Sequence, residues 1–149
     1  MKRTTVRLFV LTAAVAIASL PALADPGRGA NILCYVWANQ PSPPIGVPYT
    51  PSSIYSYNTV GRAQANSITK VATGDYSVTC KGVGGGALFS GSGSWGPGGH
   101  VQASAYGFTS NTCHVASWGT GGPDFSATVL CYNSAGVPTD SYFDLLFVW

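Results

Sequence analysis

In several short runs between residue 32 and the end of the chain, apolar and polar positions alternate with a period of two. That is the period of a β-strand with one face in the core. The pattern is densest between Thr112 and Tyr132, where two alternating runs each carry a cysteine and flank Gly119-Thr120-Gly121-Gly122-Pro123-Asp124. Residue 122 is the midpoint of Cys113 and Cys131. Folding the runs about it sets Cys113 opposite Cys131, Val115 opposite Val129 and Ser117 opposite Ala127, with Cys113, Val115, Phe125, Ala127, Val129 and Cys131 on one face. This is the ladder of an antiparallel hairpin.

Other runs predict strands in the same way. Residues 32–38 are apolar on both faces, with Ile32, Cys34 and Val36 on one side and Leu33, Tyr35 and Trp37 on the other, as in a central strand or one with one face covered and the other used. Residues 53–58 place Tyr55 and Tyr57 on one face. Residues 66–72 return from a turn at 59–61, and residues 76–81 point Tyr76, Val78 and Cys80 inward. Residues 101–108 set Val101, Ala103 and Ala105 against Gln102, Ser104 and Tyr106, and residues 141–149 point Phe143, Leu145, Phe147 and Trp149 inward. Residues 39–51 hold five prolines (Pro41, Pro43, Pro44, Pro48, Pro51), so they form a functional loop or cover a sheet edge rather than a regular ladder. Residues 82–99 are rich in glycine and serine and read as a poor strand or a loop. No run beyond the leader has a helical period with caps. The fold class expected is all-β: an antiparallel β-sandwich, or a squat barrel, of about eight short strands.

The first residues change the charge balance. Lys2, Arg3 and Arg7 precede an apolar stretch and then Ala22-Leu23-Ala24, the layout of a cleavable secretory signal over residues 1–24. Residues 25–149 then form a single domain, secreted to the exterior or to a periplasm where the host has an outer membrane. The formal net charge of +2 includes those three leader cations. Without them Arg28, Arg62, Lys70 and Lys81 face Asp25, Asp75, Asp124, Asp140 and Asp144, which disfavours a nucleic-acid partner. No membrane association is expected of the mature form. Four cysteines in an oxidising compartment predict two disulfides. The hairpin register favours Cys113–Cys131 and leaves Cys34–Cys80.

Several stretches together resemble small secreted bacterial all-β proteins of no assigned activity. They are Tyr35–Pro41, Tyr55–Asn58, Gly74–Val78, Val101–Gly107, the Cys113/Val115/Trp118 and Val129/Cys131 pair, and Gly136–Ser141. The resemblance spans residues 35–143. It implies a secreted β domain and carries no catalytic residue with it.

Candidate chemistry is sparse. There is no glutamate, and Asp25, Asp75, Asp124 and Asp140 sit at turns, where aspartate caps its own backbone. Asp144 alone interrupts a strand, opposite in face to Phe143 and Leu145. Gly91-Ser92-Gly93-Ser94 lacks the spacing of a nucleophilic elbow. His100 and His114 are too few for a zinc site, so no metal or cofactor is expected. The aromatic residues remain: Trp37, Tyr55, Tyr57 and Trp95 are less clearly inward than the rest and form the expected ligand-binding set. The function expected is a non-catalytic binding or structural module whose partner is a carbohydrate or an extracellular protein. The alternatives are a protease inhibitor presenting the 39–51 loop or the 119–124 turn, and a small hydrolase using His100 or His114. A patch built on Trp37, Tyr55 and Tyr57 is either a binding face or a core covered by the 39–51 loop.

Overall fold

The computed structural model describes residues 32–60, 66–84, 99–120 and 122–148. Residues 1–24, Trp95, Trp149 and most of the glycine-rich 82–99 stretch lie outside them. Nine strands run through the described residues: β1 (Ile32–Ala38), β2 (Pro48–Tyr49), β3 (Tyr57–Asn58), β4 (Ser67–Ala72), β5 (Asp75–Cys80), β6 (His100–Ala105), β7 (Thr112–Gly119), β8 (Phe125–Tyr132) and β9 (Phe143–Val148). They form two antiparallel sheets, one in the order β3-β1-β9-β6 and the other in the order β2-β4-β5-β8-β7. The protein is an all-β sandwich.

The inward residues of each sheet meet the other. Val36, Phe143, Leu145 and Phe147 come from the four-stranded sheet; Ile68, Tyr76, Val78, Phe125 and Val129 come from the five-stranded one; all are fully buried. Phe125 stacks on Phe147 with ring centroids 4.2 Å apart, and Tyr76 tilts against Phe143 at 5.1 Å. Burying an aliphatic or aromatic side chain of this kind contributes about 1.5–3 kcal/mol, so the interleaved layer supplies the main stabilisation. Cys34–Cys80 ties β1 to β5 across the core, and Cys113–Cys131 joins β7 to β8 within one sheet. Among the described residues no cysteine is free. Two disulfides fit an oxidising compartment. Among the described residues no helix is long and apolar enough to cross a membrane.

The hairpin register holds for Cys113 opposite Cys131 and Val115 opposite Val129, then breaks. A bulge at Ala116 sets Ser117 opposite Thr128 and Trp118 opposite Ala127. Trp118 therefore turns inward and meets Phe125 and Phe147 at 6.5 and 6.2 Å. A large ring that would otherwise lie on the outer face is the physical reason for the extra residue. A second register shift, between Ile32 and Cys34, draws Leu33 into the core rather than leaving it with Tyr35 and Trp37.

The tyrosine-bearing strand expected over residues 53–58 shortens to Tyr57–Asn58. Tyr55 N–H bonds the Ser52 carbonyl, so residues 52–55 make a turn and not a ladder. The proline-rich stretch is an edge cover. It crosses to the five-stranded sheet, where Pro48 and Tyr49 pair with Thr69 and Ile68 of β4. Proline is compatible with an edge strand because no further neighbour needs its missing N–H.

Two polar clusters, one buried and one partly buried, lock the loops. Asn58 donates to the Asn66 side chain at 3.0 Å and the Lys81 carbonyl at 2.9 Å, while Asn66 donates to the carbonyls of Tyr35 and Tyr57 at 3.2 and 3.0 Å. Asp140 accepts hydrogen bonds from Lys70, Gly74 N–H and Ser42. Asp124 accepts from Gly82 N–H at 2.8 Å. The turn aspartates 124 and 140 thus cap the backbone of distant segments and not their own. Asn58 and Asn133 do cap locally, each accepting from the N–H two residues on.

Candidate functional site

The outward residues of the four-stranded sheet fall into cross-strand rows. Tyr57, Tyr35, Leu146 and Gln102 make one row from β3 to β6, and Trp37, Asp144 and Ser104 make the next. Alternation from the buried Cys34, Val36, Leu145 and Phe147 sends all of these to the outer face. β1 is central in this sheet, so its second apolar set lies along the middle of the outer face.

On that face the rings run in a continuous chain. Tyr55 tilts over Trp37 with centroids 4.5 Å apart, Trp37 stacks on Tyr106 at 5.5 Å, and Tyr106 meets Tyr142 at 5.4 Å. Backbone and side-chain hydrogen bonds hold the members in place. Trp37 N–H donates to Ser56 Oγ at 3.2 Å, Tyr106 N–H to the Tyr142 carbonyl at 3.2 Å, and the Tyr106 hydroxyl to the Ala38 carbonyl at 3.1 Å. Tyr55 and Tyr57 are 56% and 50% exposed and Tyr142 41%, so a ligand can reach both ends of the chain. Trp37, Tyr35 and Tyr106 are partly buried beneath them. A groove of about 340 Å³ opens beside the chain, lined by Tyr35, Ser53, Ile54, Tyr55, Ser56 and Tyr57.

Asp144 stands inside this aromatic face, between Trp37 and Ser104 in register. Burial pushes its carboxyl above the ordinary range. Burial, reinforced by the Asp144 charge, raises the Tyr35 hydroxyl. Tyr106 is raised by burial first and then by its neighbours Tyr142, Tyr49, Asp144 and Tyr35, so these rings stay neutral well into alkaline solution.

The expected set is therefore gathered in part. Trp37, Tyr55 and Tyr57 share one face; Trp95 lies outside the described residues. Tyr35, Tyr106, Tyr142 and Asp144 join them, and none was named from the sequence as a ligand contact. The alternation at residues 101–106 and the single acid in the last strand were the available signals. What they lacked was the strand order that brings β6 and β9 beside β1.

Neither histidine touches the ring chain. His100 is exposed at the far end of β6, in register with Val148. His114 is exposed on the edge strand β7 and stacks on Tyr132 at 5.5 Å. The outer face of the five-stranded sheet differs in chemistry: Thr69, Ser77, Thr128 and Ser117 align in one row, and Ser67, Thr79, Ser126 and Gly119 in the next. Its concavity of about 310 Å³ is lined by Ser77, Ser117, Ser126 and Thr128, with Trp118 and Gly119. No protein-family model, curated protein or solved structure matches the chain.

Proposed function

We propose that this chain is an exported, non-catalytic module that binds carbohydrate on the outer face of its four-stranded sheet. The observation that carries the reading is the Tyr55–Trp37–Tyr106–Tyr142 ring chain on a rigid sheet, with Tyr55, Tyr57 and Tyr142 left to solvent. Sugar rings present apolar C–H faces flanked by hydroxyls. Aromatic rings supply the matching apolar area, and their hydroxyls and nearby carboxylates supply polar partners. Rings already seated against one another lose little side-chain freedom on binding, which lowers the cost of association.

A secretory leader at residues 1–24 agrees with the disulfides and with a surface wetted by hydroxyls more than by charge. The 39–51 segment is tied down through the Tyr76 hydroxyl to the Pro41 carbonyl, Ser42 to Asp140 and Gly46 N–H to the Lys70 carbonyl. It covers the edge of the other sheet, which favours the binding-face reading of Trp37, Tyr55 and Tyr57 over a covered core. The test is depletion from solution by insoluble cellulose, chitin and chitosan. At least one should retain the protein, and Trp37→Ala should abolish retention. Retention by none, or retention that survives Trp37→Ala, refutes the reading.

A further inference from the structure

The carboxylate inside the aromatic face narrows the ligand, and this step rests on the carbohydrate reading. Asp144 is held on β9 with Trp37 on one side and Ser104 on the other. Among the described residues its carboxylate accepts no hydrogen bond and pairs with no cation. Lys70 is engaged by Asp140, and Lys81 follows β5 in the opposite sheet. An under-solvated anion without a partner costs free energy, and burial raising its pKa expresses that cost.

The surroundings select what could relieve it. Trp37 stands beside Asp144 in register and the Asp144 charge acts on Tyr35 and Tyr106, so the carboxylate sits unpaired among electron-rich rings and attracts a cation. An anion is repelled by the carboxylate, and a neutral sugar gains only the apolar contact and ordinary hydrogen bonds. His100, on the same sheet face, stands rows away opposite Val148 and does not neutralise Asp144.

We infer that the ligand is a glycan bearing free amino groups, its sugar rings on the exposed Tyr55 and Tyr57 that Trp37 supports and one ammonium group on Asp144. The pairing is a charge-assisted contact on a half-buried carboxylate, the stronger class of hydrogen bond.

The test compares three β-1,4-linked oligomers of equal length by titration calorimetry: glucosamine, N-acetylglucosamine and glucose. Mildly acidic solution keeps the amines protonated. The glucosamine oligomer should bind about tenfold tighter than the other two, the ratio given by about 1.4 kcal/mol. Asp144→Asn should erase that preference while leaving binding of the neutral oligomers, whereas Trp37→Ala should weaken all three. Equal affinity for the three in the wild type, or a preference that survives Asp144→Asn, overturns the amino-sugar inference and leaves the carbohydrate face standing. Failure of all three to bind overturns both.

Discussion

Replacing Asp140 by alanine tests how the loops are held to the sandwich. The carboxylate accepts from Gly74 N–H at 2.9 Å and from Ser42 at 3.0 Å, and it pairs with Lys70. Beside it the Tyr76 hydroxyl donates to the Pro41 carbonyl at 2.6 Å and accepts from Ser141 N–H at 3.1 Å. One side chain thus connects the proline-rich segment, the β4–β5 turn and the entry to β9. The Lys70 and Asp140 side chains are 10% and 18% exposed, so truncating the acid strands a nearly buried ammonium. Breaking such a pair costs about 3–5 kcal/mol, and the residual exposure places this one near about 3 kcal/mol. For a domain of this size that lowers Tm by about 10–15 °C. Burial alone would raise the Asp140 pKa; hydrogen bonds from Lys70, Gly74 N–H and Ser42, with the Lys70 charge, overcome it and hold the group below its ordinary value. The stability it contributes is therefore present above the unfolded-state pKa and lost as pH falls through the lower folded one. Urea denaturation of wild type and Asp140→Ala should show a constant gap from neutrality down to about pH 5, narrowing below about pH 4. A gap under about 1 kcal/mol at neutral pH, or one unchanged in acid, would refute the hub and its charge assignment.

Three further outcomes are expected. Removing Cys34–Cys80 by paired alanine substitution should cost about 4 kcal/mol and removing Cys113–Cys131 about 3 kcal/mol, because the first closes the longer loop; chemical denaturation of the two variants gives the order. Gly74 has φ +70°, and an added Cβ would lie 2.5 Å from the Cys131 carbonyl oxygen, so Gly74→Ala should lower stability by about 2–4 kcal/mol. Replacing both His100 and His114 by alanine should leave glycan retention and Tm unchanged, since both are exposed and away from the ring chain; depletion and calorimetry check it.

What could be read from the sequence was what depends on period and local spacing. The midpoint between Cys113 and Cys131 sufficed to pair them, and alternation sorted Tyr76, Val78, Phe143, Leu145 and Phe147 into the core. The bulge at Ala116 escaped because its cause, the packing of Trp118 against the stacked Phe125 and Phe147, lies in both sheets. β2 escaped because five prolines mask a two-residue edge pairing. The candidate face was half legible. Trp37 and Tyr57 are placed by strand alternation, but Tyr106, Tyr142 and Asp144 reach them only through the order β3-β1-β9-β6, a non-local property. Asp140 and Asp124 read as local turn caps for the same reason: their partners are 66 and 42 residues away.

Whether the exposed tyrosines form a ligand face or a poorly covered core is decided most directly by Tyr55→Ala/Tyr57→Ala, read for retention on the insoluble glycan that holds the wild type and for stability in guanidinium. Both side chains are half exposed or more, so their loss should leave stability within about 1 kcal/mol of the wild type while retention falls to background. Undiminished retention, or a stability loss of about 3–5 kcal/mol as for a buried ring, would contradict the account.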